Sequence, residues 1–362
     1  MSPDTPPDQQ WVLHVDLDQF IAAVEVLRRP ELAGLPVVVG GRGDPTERGV
    51  VSTASYEARE FGVGSGMPLR VALRRCPDAV FLPVDASAYD AASTEVMAAL
   101  RALEWGGVPV VVEVLGWDEA FLAAGDGHGD LGDPVAFAEQ VRAAVLEATR
   151  LHCSVGIGDN KLRAKIATDM GKPRGTFRLT ADTWFEVMGE RPTTALWGIG
   201  SRTARKLEAL GVATVAELAA ADVGRLAAAL GPTMGPWFHR LGRGADGGRV
   251  DASPWVPRAH GHEETFQQDV TDWAEVEAHV RRIAVRALAD IDREGRPAAR
   301  VGLKVRFRPF VTVTRSLTLP RPSNDPETLA DAAASLLERV ERDRPVRLLG
   351  VRLEMVPPEG GY

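Results

Sequence analysis

Two cysteines in 362 residues, Cys76 and Cys153, make no disulfide framework, and neither has the spacing of a metal ligand. Both read as buried thiols. No run of 18 or more apolar residues occurs, which excludes a membrane-spanning helix. The seven histidines show no ligand spacing, and no Ser-His-Asp arrangement is discernible. No repeat of fixed period appears, and Gly40-Gly-Arg-Gly lacks the spacing of a dinucleotide fingerprint. The start lacks the basic and apolar stretches of a secretory signal. Residues 1–10 are polar, acidic and proline-rich, and read as the flexible leader of a cytoplasmic protein.

What is present is an ordinary soluble composition, 45% hydrophobic and 25% charged, in a chain long enough for several domains. The net charge of −8 is a weak test for nucleic-acid binding, because basic residues act where they cluster. Residues 296–321 hold seven Lys and Arg and no Asp or Glu.

Three carboxylates carry most of the chemical information. Asp16 lies in His14-Val-Asp-Leu-Asp-Gln-Phe20, and Asp118 and Glu119 lie in Leu115-Gly-Trp-Asp-Glu-Ala-Phe121, each following an apolar run. Buried carboxylates without partners are costly, so acids gathered at strand ends call for a cation. Hard oxygen ligands suit Mg²⁺, and two such ions can clamp the attacking and leaving oxygens of a phosphoryl transfer.

The chain order supports that convergence. A strand at residues 11–17 leads into a helix at 20–27. Short strands follow at 37–39 and 50–52, then helices at 56–61 and 87–103. Residues 108–115 and 119–123 form a hairpin. Asp133 and Pro134 open another helix, and 153–157 adds a strand. Strand, helix, hairpin, helix, strand is the split βαβ plan of a ferredoxin-like sheet, with roughly 80 residues inserted after the first strand. It puts Asp16 on one central strand and the Asp118-Glu119 pair on its neighbour. Residues 179–242 are helical and 243–255 have linker composition. A separate α/β domain follows, with helices at 272–292 and 326–342 and a strand pair at 301–319. In that pair Lys304, Arg306 and Arg308 alternate with Leu303, Val305 and Phe307. Period-two spacing puts the three cations on one face, suited to tracking phosphates, with Arg315 of the next strand on the same surface.

Several longer motifs resemble the Y-family translesion DNA polymerases, DinB or polymerase IV branch. They are Val50-Val-Ser-Thr-Ala-Ser-Tyr-Glu-Ala-Arg-Glu-Phe-Gly62, Gly156-Ile-Gly-Asp-Asn-Lys161, Ala164-Lys-Ile-Ala167, Gly171-Lys-Pro173, Trp197-Gly-Ile-Gly200 and Val346-Arg-Leu-Leu-Gly-Val-Arg-Leu353. With the two acidic motifs they run in the same order from about residue 11 to 354. The resemblance implies an α+β fold. Its parts are a ferredoxin-like palm (11–27 and 80–178) with inserted small fingers (28–79), a helical thumb (179–242) containing a helix-hairpin-helix, a linker (243–255), a separate α/β little finger (256–356) and a flexible tail (357–362). It implies that Asp16, Asp118 and Glu119 hold the metals with the backbone carbonyl of Leu17, and that Asp18 is structural. Thr53, Tyr56, Arg59 and Lys172 match the triphosphate-binding positions. Gly198 and Gly200 look like the hairpin that aims N–H groups at a DNA phosphate, with Ser201 a candidate helix cap and Lys206 assisting.

The chain departs from that pattern in places. Where the family carries Phe or Tyr as a steric gate against the ribose 2′-hydroxyl, this chain has Ile21, which predicts weak exclusion of ribonucleotides. Gln19 stands beside the gate, and Trp117 immediately precedes the catalytic pair, read as packing. The chain does not close on a glutamine-aliphatic-aromatic peptide, which leaves sliding-clamp binding open. The expectation is a monomeric, Mg²⁺-dependent (two ions; Mn²⁺ an alternative), error-prone DNA polymerase. It would take primer-template DNA and deoxynucleoside triphosphates, and ribonucleoside triphosphates as well if the gate is weak, with no membrane. The alternatives are a noncatalytic DNA-binding accessory on the same scaffold and a template-free nucleotidyl cyclase.

Overall fold

The computed structural model describes residues 11–362; the expected leader lies outside them. The fold is α+β and divides into two compact units, one made chiefly of residues 49–253 with the chain before residue 45, the other of 254–362 with the short segment 45–48. No described helix is long and apolar enough to cross a membrane.

The first unit begins with β1 (Val12–Leu17) and α1 (Phe20–Arg28), followed by an inserted lobe. That lobe holds β2 (Val37–Val39), β3 (Thr53–Ala54), α2 (Tyr56–Glu60), α3 (Leu69–Arg75) and β4 (Val80–Leu82), with strand order β3-β2-β4. Its core gathers Val38, Val51, Ala54, Ala58, Val63, Leu69 and Cys76. The strand expected at 50–52 falls instead at Thr53–Ala54. Val50 makes only an isolated bridge to Pro68, and Val51 donates its N–H to the Met67 carbonyl at 2.8 Å.

The chain then returns through α4 (Ala86–Arg101), β5 (Glu104–Trp105), β6 (Val108–Val114), β7 (Glu119–Ala124), α5 (Pro134–Thr149), β8 (Cys153–Gly158), α6 (Lys161–Gly171) and β9 (Thr176–Leu179). The sheet order is β5-β6-β7-β1-β8-β9, so the four inner strands have the ferredoxin-like arrangement with one short strand added at each edge. Asp133 caps α5 by accepting from the Val135 N–H at 3.0 Å, with Pro134 at the first helical position. Leu13, Val15 and Leu17 of β1 pack with α1, α4 and α5 in the main core. His14 lies on the opposite face, where its Nδ1 meets the Thr168 hydroxyl of α6 at 2.8 Å. A Cβ on Gly156 of β8 would stand 2.0 Å from the Ala164 carbonyl oxygen and 2.3 Å from the Thr168 nitrogen. Glycine there is what lets α6 sit directly on the sheet. Both cysteines are buried, Cys76 in the inserted lobe and Cys153 on β8 opposite Leu17.

Short helices follow: α7 (Trp184–Met188), α8 (Ser201–Glu208), α9 (Val215–Ala220), α10 (Val223–Leu230) and α11 (Met234–Gly242). They close around Trp184, Leu207, Val215 and Leu218, with Leu162 and Ile166 from α6. Residues 243–255 form no helix or strand, as linker composition predicts, yet their middle is fastened to the sheet. Val250 packs with Val12, Phe121, Ala123 and Ala164, and the Asp251 N–H donates to Glu113 at 2.9 Å.

The second unit holds β10 (Ala259–Val270), α12 (Trp273–Glu294), β11 (Ala298–Phe307), β12 (Thr312–Ser323), α13 (Pro326–Ser335) and β13 (Val346–Met355). Its antiparallel sheet has the order β10-β13-β11-β12. Val276, Val280, Ile283 and Leu288 of α12 bury against Val301, Leu303, Val305 and Leu349. The alternating burial of β11 shows that only one face of the sheet is covered. Residues 357–362 form no helix or strand, though the Tyr362 ring lies under the Arg258 guanidinium at 4.7 Å.

Candidate active site

Asp16 and Glu119 are direct cross-strand partners on β1 and β7, and Asp118 ends the turn that leads into β7. The Leu17 N–H donates to the Asp118 carbonyl at 2.8 Å, tying that turn to β1. Three carboxylates separated by about a hundred residues in sequence are thereby gathered at one end of two central strands. Asp16 and Asp118 are both held above the usual carboxylate range by burial; the Glu119 charge adds to it at Asp118. Glu119 goes the other way, down to about 2, through its bond to His14 and then to Lys165.

Two ammonium groups already face this cluster. Lys172 Nζ lies 2.9 Å from Asp16 Oδ1 and 3.5 Å from Asp169, and these acids overcome burial to keep the lysine charged. Lys165 Nζ is bonded to Glu119 Oε2 and lies 3.2 Å from His14 Nε2 and 5.6 Å from the Trp197 ring centroid. Burial lowers the pKa of His14 and favours the neutral ring. With Asp16 turned to Lys172 and Glu119 to Lys165, no three His, Cys, Asp or Glu side chains among the described residues converge on a single centre. Hard oxygen donors with surplus negative charge, drawn to ammonium groups, nonetheless fit a divalent cation. Lys165 received no role from the sequence, although it lies in the Ala164-Lys-Ile-Ala167 motif.

Asp18 is apart from this cluster in function. It is 3% exposed and accepts from the Ser154 hydroxyl (2.9 Å), the Tyr56 hydroxyl (2.9 Å) and the Arg174 N–H (2.9 Å). A carboxylate with three donors is a brace. Tyr56 and Arg59 lie on α2, with the guanidinium 5.0 Å from the Tyr56 ring centroid. Arg59 Nε donates to the Ala54 carbonyl at 3.0 Å, leaving its outer nitrogens for a ligand. Burial, with Asp18 adding to it, raises the Tyr56 phenol well above its ordinary pKa. Thr53 precedes the same helix on β3, and Lys172 follows α6. Ile21, in the first turn of α1, packs partly into the main core. Trp117 donates its indole N–H to Asp90 at 2.6 Å and meets the Tyr89 ring edge-on. It is a packing residue fastened to α4.

The expected hairpin glycines differ in kind. Gly198 has φ 94°, and a Cβ there would meet the Trp237 ring at 2.8 Å. Gly200, with open space around it, is the N-cap of α8; Ser201 is the first helical residue and caps nothing. This corrects the candidate cap. Lys206 is exposed in the last turn of α8.

In the second unit the open face of the sheet bounds a groove of about 620 Å³. Lys304 and Arg306 stand on that face, where Lys304 pairs with Glu263 at 2.7 Å and Arg306 donates to Thr312 at 2.9 Å. Two expectations fail. Arg308 lies beyond the end of β11, where the register shifts at Arg306/Phe307, so it does not continue the alternation. Arg315 is the cross-strand partner of buried Leu303, so it belongs to the opposite face, where its Nε donates to the Arg339 carbonyl at 2.8 Å. The open face gains instead Arg300 and Arg352, flanking Gly302 across β11 and β13. Counting back in twos from Lys304 finds Arg300; Arg352 needed the pairing with β13.

Comparison with known proteins agrees with this architecture. Residues 15–169 match the impB/mucB/samB family, 257–362 its C-terminal domain, and 194–246 a thumb domain described for DNA polymerase-iota. The protein named DNA polymerase IV 2 of Mycobacterium tuberculosis (strain ATCC 25618 / H37Rv) is 51% identical over 347 residues, spanning 96% of this chain and 98% of its own length. DNA polymerase IV of Methanoculleus marisnigri is 40% identical, spanning 97% and 95%. Among solved structures, a Y-family polymerase chimera, Dbh-Dpo4(243-245)-Dbh, superposes with a TM-score of 0.81 at 25% identity, spanning 95% of this chain and 98% of its own. DinB from Sulfolobus solfataricus gives 0.62 at 26% identity, spanning 96% and 99%.

Proposed function

The chain belongs to the Y-family of DNA polymerases, in the DinB or DNA polymerase IV branch, and from that membership we propose how its residues carry out the reaction. It is a translesion DNA-directed DNA polymerase. The palm consists of 11–27 and 80–178, with the fingers at 28–79, the thumb at 179–242 and the little finger at 256–356. Asp16, Asp118, Glu119 and the Leu17 carbonyl would hold two Mg²⁺ ions, or Mn²⁺ in their place. The cross-strand pairing of Asp16 with Glu119, next to Asp118, is the observation that carries this reading. Bound there, the divalent ions supply acidification of the primer 3′-hydroxyl and neutralisation of the triphosphate.

The remaining chemistry belongs to side chains. The primer 3′-oxygen attacks the α-phosphorus of the incoming nucleotide in line, and pyrophosphate leaves. Tyr56 and Arg59 face the β- and γ-phosphates, Arg59 with its guanidinium, Thr53 adds a hydroxyl, and Lys172 offsets the charge that grows on pyrophosphate. Gly198, Gly200 and Lys206 contact the backbone of the template duplex, as do Lys304 and Arg306, joined on the same open face by Arg300 and Arg352. Arg315, on the helix-covered face, is not part of that surface. The partners are therefore primer-template DNA and deoxynucleoside triphosphates, taken by a cytoplasmic monomer. Ile21 leaves the 2′ side of the sugar less fully closed than an aromatic ring would, so ribonucleotides are admitted.

Primer extension with wild type and Asp118→Ala, each given matched deoxyribo- and ribonucleotides in Mg²⁺ or Mn²⁺, tests the whole reading. Asp118→Ala should lose extension while keeping salt-sensitive binding to primer-template DNA. Extension at the wild-type rate would remove Asp118 from the site. Wild type without any extension would make the chain a noncatalytic DNA-binding protein. A preference for deoxyribonucleotides above about 1,000-fold would reject the open gate.

A further inference from the structure

Gln19 is neither one of the carboxylates nor one of the triphosphate-binding positions, yet its conformation is unusual. Its φ of 46° and ψ of 39° lie in the left-handed region that side chains other than those of Asn, Asp and Gly seldom adopt. Such strain persists where the surroundings over-determine it. Gln19 stands at the N-cap of α1 but makes no side-chain cap bond to that helix. Its Oε1 instead accepts the backbone N–H of Tyr56, the first residue of α2, at 2.5 Å. The preceding residue, Asp18, accepts the hydroxyl of the same tyrosine at 2.9 Å. Two consecutive residues of the turn after β1 thus grip Tyr56 at its backbone and at its phenol. Arg59 stacks on the ring held between them, 5.0 Å from the centroid.

We propose that Gln19 is a positioning residue whose side-chain carbonyl latches the fingers helix α2 to the catalytic strand. Tyr56 and Arg59 then face the triphosphate from a fixed place beside Asp16. Met, Leu or Ala at this position supplies no acceptor, and the N-terminus of α2 is left without that tether. The inference rests on the assignment of Tyr56 and Arg59 as triphosphate contacts.

Nucleotide-incorporation kinetics on primer-template DNA test it with Gln19→Met, which keeps the length and removes the acceptor, and Gln19→Gly, which relieves the backbone and also removes the acceptor. Both variants should raise KM for the deoxynucleotide about five- to tenfold, with kcat within about twofold. DNA affinity should not change. An unfolded fraction would lower kcat and leave KM in place, so misfolding does not imitate this result. If Gln19 served only to tolerate the left-handed turn, Gln19→Gly would match wild type and the proposal would be overturned. Arg59→Ala separates the layers. An unchanged KM in that variant rejects the triphosphate assignment itself, whereas a raised KM there with an unchanged KM in both Gln19 variants removes the latch alone. In the double variant Gln19→Met/Arg59→Ala the KM effects should combine to less than their product, because both act through one helix. Full multiplication would also overturn the latch.

Discussion

The palm and the little finger each present charge from a sheet, mixed in the palm and antiparallel in the little finger, and the two sheets are covered differently. On β1 of the palm, four successive residues, Val12, Leu13, His14 and Val15, are buried, because α1, α4 and α5 cover one face and α6 the other. Only the strand end is left for chemistry, so a few acids carry it. On β11 of the little finger, burial alternates, because α12 and α13 cover one face and the other is open. Charge is spread along that whole face, on Arg300, Lys304, Arg306 and Arg352. A sheet covered on both sides concentrates function in its ends; a sheet covered on one side distributes it.

The contrast predicts a hierarchy of losses. Asp16→Ala should lower single-turnover incorporation by about 1,000-fold or more while leaving primer-template affinity within about twofold. If incorporation fell only severalfold, the concentrated character of the palm site would be refuted. Next in size is a pair of glycine substitutions read by chemical denaturation. Gly156→Ala puts a Cβ against the backbone of α6 and should cost about 3 kcal/mol. Gly302→Ala, with nothing nearer than 3.7 Å on the open face, should stay within about 0.5 kcal/mol. Equal costs would show that the open face is covered after all. The smallest effects belong to single cations. Arg300→Ala and Arg352→Ala should each weaken primer-template binding about two- to fivefold and reduce the slope of log affinity against log salt by about one. Arg315→Ala should do less, because that side chain lies on the other face and donates to the Arg339 carbonyl. A loss from Arg315 equal to that from Arg352 would break the division between faces.

The same contrast governs what could be read from the chain alone. Apolar runs ending in acids are legible because a strand buried on both faces admits few other residues, and the hairpin between residues 108 and 124 was read nearly to its ends. The β10 strand escaped notice because three of its helix-facing residues are themselves polar. His260 pairs with Glu294 at 2.9 Å, His262 with Asp290 at 2.6 Å and Glu264 with Arg282 at 2.9 Å. With polar groups on both sides, no period-two signal remains. Arg315 was misplaced because alternation along one strand does not fix the register of the next, and Arg308 because the register shift near Phe307 is a property of the pair. Gln19 and Lys165 are ordinary residues in sequence; what singles them out is a partner more than thirty positions away.

Burial of both thiols gives the protein a built-in chemical reporter. Thiolates are the species that alkylating reagents and oxidants attack. Burial pushes the Cys153 thiol up to about 12 and also raises that of Cys76, so the folded chain should be inert to such reagents at neutral pH. Any labelling then times an opening event, at Cys76 for the fingers and at Cys153 for the palm. A cysteine introduced elsewhere as a spectroscopic probe would report without interference from the native pair.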